Sequence, residues 1–132
     1  MSTTPPALAA WHRIAAEQDP SGLADLVADD AVFRSPAVHT PQEGKAVTIA
    51  YLSAAVAVLG PSLTYHRTWH GDASAVLEFT CELDGLDVHG VDIIGWNADD
   101  RIDTFTVMVR PLKGLTVVIE KMGAELQRQA GA

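Results

Sequence analysis

Cysteine is almost missing from this sequence. Its 132 residues include one, Cys81, which excludes an internal disulfide framework and any cysteine-rich metal site. Basic residues are also scarce: nine Lys and Arg stand against seventeen Asp and Glu, for a formal net charge of -8. They are scattered singly from Arg13 to Arg128, with no basic run. Phosphate backbones and anionic membranes attract clustered Lys and Arg, so neither nucleic acid nor a membrane is expected as partner. No apolar run approaches the ~20 residues of a membrane span, and the N-terminus lacks a basic-then-apolar leader pattern. A cytoplasmic location is therefore expected. Glycine-rich dinucleotide and P-loop fingerprints are missing, so nucleotide chemistry has no support and no cofactor is expected.

Apolar content is ample. Hydrophobic residues make up 48% and charged residues 20%, an ordinary globular balance. The length fits one domain with a sizeable core. Met1 to Pro6 reads as a flexible tail, and residues 7–132 as a single domain.

Leu8, Trp11, Ile14 and Ala15 recur at helical spacing. Asp19-Pro20 ends that helix and opens a short second one, with Leu23, Leu26 and Val27, that stops at Asp29-Asp30. Ala31 to Phe33 reads as a small strand. Thr40-Pro-Gln-Glu43 fits a capping box for a long helix reaching Leu59, with Val47, Tyr51, Ala54, Ala55 and Val58 on one side. Gly60-Pro61 terminates it. The period then changes to two over residues 63–70, 77–84, 87–97 and 101–110, the mark of half-buried antiparallel strands. Gly71-Asp72, Asp84-Gly85 and residues 97–100 supply the turns. After Pro111, Leu112, Leu115, Val118, Ile119, Met122 and Leu126 mark a final helix. Helices segregated from consecutive strands mean an α+β fold.

One residue stands out in cost. Asp92 shares its strand face with Val88, Gly90, Ile94 and Trp96. An ionised carboxylate without a partner on an apolar face costs several kcal/mol, so it takes a proton or finds a partner. Either state is useful in a pocket, as a hydrogen-bond donor or as a base. Pairing with Arg67 or Arg110 on neighbouring strands, or contact with water at a sheet edge, is the structural alternative.

Leu26 to Phe33, Ser35-Pro36, and Gly44 opening a helix resemble the first half of small enzymes in the nuclear transport factor 2-like superfamily. Gly90 to Ile102 is similar to a strand–turn–strand of its ketosteroid isomerase and SnoaL-like cyclase branches. The resemblance implies a cone: a curved antiparallel sheet closed by N-terminal helices around an apolar pocket, with a C-terminal helix. It also implies a homodimer on the exposed sheet face, with which apolar Val91 and Ile93 are consistent. In ketosteroid isomerases a protonated strand aspartate helps stabilise a dienolate oxygen, and Asp92 matches that position. The partner tyrosine falls on Trp11, which keeps only an indole N–H. The general-base aspartate falls on Ser35, which lacks a carboxylate. The isomerase mechanism therefore does not transfer as a whole.

Three residues are candidates for catalysis: Asp92, Tyr51 facing inward from the long helix, and His39 in the loop before it, as a replacement for the missing base. Trp11, Phe33, Phe79, Trp96 and Phe105 are candidate pocket walls for a lipophilic small molecule. His66 and His70 are four apart on a strand, ~13 Å, too far for one ion, so no metal is expected. The functional expectation is a cofactor-independent acid–base enzyme, an isomerase, cyclase or epoxide-hydrolase type, on a lipophilic carbonyl or epoxide. The alternative is a non-catalytic module that binds an apolar ligand or partner.

Overall fold

A computed structural model describes residues 4–131. Helix α1 spans Pro6–Glu17 and buries Leu8, Trp11 and Ile14, the stripe that its apolar spacing marks. Pro6 is thus helical; the first three residues of the expected tail lie outside the described residues. A 3-10 turn, Pro20–Gly22, follows, in which the Asp19 carboxylate accepts from the Ser21 N–H. Helix α2 is a single turn, Leu23–Leu26. Strand β1, Val27–Arg34, begins where the short helix was expected to continue. Its pairing with a strand distant in sequence extends it beyond Ala31–Phe33.

The expected capping box does not form. Gln42 and Glu43 make β2, antiparallel to β1, with Val32 opposite Glu43 and Phe33 opposite Gln42. Helix α3, Lys45–Leu59, starts four residues later than that box would place it, with Gly44 at φ 115 as its N-cap. That backbone conformation suits glycine, and it lets the Gly44 N–H reach the Ala31 carbonyl at 2.7 Å. Strand pairing displaces the local side-chain cap. Helix α3 buries Thr48, Leu52, Ala54, Val56 and Leu59, so it has no clean polar face. It packs between β1 and the C-terminal helix, which is why the stretch Lys45–Ser62 is apolar enough, by length and composition, to pass for a membrane span.

Strands β3 (Thr64–His70), β4 (Ser74–Leu83), β5 (Leu86–Trp96) and β6 (Ile102–Arg110) form the antiparallel meander that the two-residue period predicts. Strand β1 adds to β6 in parallel, giving the six-stranded order β2-β1-β6-β5-β4-β3, which is open at both edges. The tight turn at Asp84-Gly85, with both φ positive, fixes the β4–β5 register, so Leu83 faces Leu86 and Leu77 faces Asp92. Irregularities in three of the pairings, between Tyr65 and Thr68 among them, bend the sheet.

The inner face is continuous and apolar. Leu77, Phe79 and Cys81 of β4, Val88 and Ile94 of β5 and Phe105 of β6 are buried there. Helix α4, Leu112–Ala130, covers part of it through Val118. The outer face carries Glu78, Thr80, His89, Val91, Ile93 and Met108.

Candidate functional site

The strand parity that singles out Asp92 holds in three dimensions. Asp92 lies mid-β5, opposite Leu77 and Val107, and is 6% exposed on the inner face. Neither suggested arginine reaches it. Arg67 makes two bonds to the Glu78 carboxylate on the outer face, at 2.6 and 2.9 Å, and Arg110 meets His89.

Its partner is Tyr65, whose hydroxyl donates to Asp92 Oδ2 at 2.6 Å. The same hydroxyl accepts the Trp11 indole N–H at 2.9 Å. Three elements thus converge: α1 brings Trp11, β3 brings Tyr65 and β5 brings Asp92. Gly90 makes the close packing on β5 possible, since a Cβ there would stand 2.7 Å from the Phe79 ring. The Tyr65 ring meets Phe79 edge-on, with centroids 6.3 Å apart.

Burial pushes the Asp92 carboxyl up to about 7, against the opposing effect of the Tyr65 hydrogen bond. Burial, and then the charge of Asp92, raises the Tyr65 hydroxyl well above its ordinary value, so Tyr65 keeps its proton. His12, edge-on to Tyr65 at 5.4 Å, is held below its ordinary value by burial. Asp92 therefore changes charge near neutral pH while Tyr65 beside it does not.

Asp92 opens onto a cavity of about 220 Å³. Trp11, Phe33, Tyr51, Tyr65 and Phe105 contribute aromatic walls, and α4 closes one side with Met122 and Leu126. Phe33 stacks on Tyr51 at 4.8 Å, and Trp11 stands edge-on to Phe105 at 4.9 Å. Ser35 lines the cavity too, its Oγ accepting the Ala37 N–H at 3.0 Å. Asp92 is the one charged side chain among the described residues of this lining.

Three of the five expected walls, Trp11, Phe33 and Phe105, and the helix residue Tyr51 thus meet Asp92 around one space. The other candidates sit elsewhere. Phe79 and Trp96 belong to the packed core: the first lies over Gly90, and the second donates its N–H to the Asp72 carbonyl. His39 is exposed and borders a separate, shallower depression with Arg34, Pro41 and Met108, so it does not face Asp92. Tyr65 is the residue that sequence reasoning missed. Simple alternation groups it with Arg67 and Trp69, but the bulge after Tyr65 turns those two away.

The family model for the SnoaL-like domain matches residues 8–105. The fold is similar to a steroid delta-isomerase from Pseudomonas aeruginosa, with TM-score 0.89 and 39% identity over 96% of this chain and 93% of that one. An uncharacterized protein with a cystatin-like fold from Silicibacter pomeroyi gives TM-score 0.87 and 28% identity, over 96% and 89% of the two chains. The epoxide hydrolase/cyclase-like enzyme SalBIII, of pyran ring formation in the polyether salinomycin, shares the fold at TM-score 0.64 and 17% identity, over 79% and 88%. No curated protein matches the sequence.

Proposed function

The chain belongs to the SnoaL-like domain family, and from that premise we propose that it is a cofactor-independent acid–base enzyme, of isomerase or cyclase type, acting on a lipophilic carbonyl or epoxide compound. One observation carries this reading: a carboxyl group that titrates at about 7 opens onto an apolar cavity and is held by a protonated tyrosine. A group whose pKa lies near the working pH both takes and returns a proton efficiently. Tyr65 occupies Oδ2, and Oδ1 is the oxygen that meets the substrate.

For a β,γ-unsaturated ketone the chemistry balances with this single group. Asp92 removes the proton from the carbon between the carbonyl and the double bond. The electron pair moves onto the carbonyl oxygen as a dienolate, and Asp92 returns the proton to the γ-carbon. The 39% identical relative is a steroid delta-isomerase, which supports this class of reaction. The test is turnover of a cyclic β,γ-unsaturated ketone, followed by the ultraviolet absorbance of the conjugated product. Asp92→Asn should lower turnover at least a hundredfold; unchanged turnover removes Asp92 from the mechanism.

Ser35 favours a second reading. It stands where the resemblance calls for a carboxylate base, and no other acid joins Asp92 among the described lining residues. A cavity of that kind serves as a binding module for an apolar ligand. Saturable binding of the ketone without turnover selects it.

A further inference from the structure

The cavity contains one carboxyl group and no counter-charge. Tyr65, a neutral donor, holds one carboxyl oxygen of Asp92. Among the described lining residues there is no Lys, Arg or His. Among the described residues, no protein donor meets the other oxygen. The remaining polar potential comes from the neutral hydroxyls of Ser35 and Tyr51 and from aromatic rings, whose faces are negative and attract cations. A carboxylate ligand would meet repulsion here and an ammonium ion attraction.

We propose that this cavity also takes a lipophilic amine in its protonated form, the ammonium N–H donating to Asp92 and the hydrocarbon lying against Trp11, Phe33, Tyr51 and Phe105. The size fits one ring. A dry cavity of about 150 Å³ accommodates benzene, and this one is about 220 Å³. The formal charge of -8 draws the cation in at long range. Such an amine competes with any substrate that needs Asp92, so the site has an inhibitor class as well as a substrate class.

The pH dependence follows from the groups that face Asp92. From β3 comes Tyr65, which stays protonated, and from α1 comes His12 behind it, which burial shifts toward its neutral form. Tyr51 of α3 lines the cavity, while β6 and α4 contribute only apolar side chains. Amine binding therefore strengthens as pH rises through about 7, where Asp92 ionises, until the amine itself loses its proton.

Calorimetric titration with benzylamine, benzyl alcohol and benzoate, at pH 6 and pH 8, tests this. Benzylamine should bind at least tenfold more tightly than benzyl alcohol at pH 8, with a smaller preference at pH 6, and benzoate should bind worst. Asp92→Asn should abolish the preference while benzyl alcohol still binds, which shows that the cavity is intact. Equal affinity for the amine and the alcohol at pH 8, no amine binding at millimolar concentration, or a preference that survives Asp92→Asn overturns the proposal. The ketone assay reads separately: a protein without turnover that still prefers the amine refutes the enzyme and upholds this site.

Discussion

Tyr65 and Asp92, 27 residues apart in the chain, meet at 2.6 Å, and when Asp92 is ionised their hydrogen bond can run in only one direction. The Trp11 indole is a donor without an acceptor, so it must give its N–H to Tyr65. An ionised Asp92 can only accept, so the tyrosine proton is committed to it. The row ends on a carboxylate, which it stabilises in the charged form.

Tyr65→Phe removes that stabilisation. Asp92 should then titrate above about 7, and the limb of the rate–pH profile that reports it should move to higher pH. Trp11→Phe, one bond further away, should move it less and in the same direction. Carboxyl carbon chemical shifts of labelled aspartate follow the titration directly. A shift to lower pH would refute the assigned direction.

Stability should respond to pH through the same residue. In the unfolded chain Asp92 titrates at about 3.8, and in the fold at about 7. Between those values the folded state holds more protons, so stability falls as pH rises. The loss is roughly 4 kcal/mol at most, from the pKa difference alone. Glu78 acts in the opposite sense: hydrogen bonds from Arg67 and His89 hold it at about 2, so its contribution is lost as pH falls below 4.5. The two together place the stability optimum near pH 4–5, and urea unfolding across pH 3–8 measures it. Asp92→Asn should flatten the slope above pH 4 and leave the variant more stable than the parent at pH 8.

Ser35→Asp should restore a second acid–base group. The substituted carboxylate keeps an acceptor for the Ala37 N–H, so the turn is preserved. Turnover of the unsaturated ketone should rise at least tenfold, within the range of one positioned general base. A decline measured in the same assay would show that Ser35 does not border the reacting carbon.

The outer sheet face should carry a second copy of the chain. Val91 and Ile93 lie there half-buried, and Met108 beside them is 54% exposed, an apolar strip of the kind that two-fold pairs cover. Sedimentation should give twice the 14.0 kDa chain mass. The double variant Ile93→Lys with Met108→Lys should sediment as a monomer; a monomeric parent would refute the pairing.

Much of this arrangement was legible in the sequence. Alternation in residues 77–97 and the Asp84-Gly85 turn are enough to place Asp92 opposite Leu77 on an apolar face, because a two-residue turn leaves one register. Helical spacing put Trp11 on the inner side of α1. Tyr65 was illegible because a bulge changes strand parity without a mark in the side-chain pattern. The start of α3 was misread for a related reason. Thr40 to Glu43 satisfies a local rule, whereas β2 depends on a strand ten residues upstream, and only the fold brings the two together.

The contact between Trp11 and Tyr65 has an optical consequence. Indole emission is sensitive to hydrogen bonding and to nearby charge, and Trp11 is linked through the Tyr65 hydroxyl to Asp92, the one carboxyl group among the described residues of the cavity lining. Trp69 is exposed and Trp96 donates to the Asp72 backbone carbonyl, so neither belongs to the row that ends on Asp92. The protein therefore contains its own fluorescent indicator of whether the cavity is charged or neutral, empty or filled, and needs no attached dye to report it.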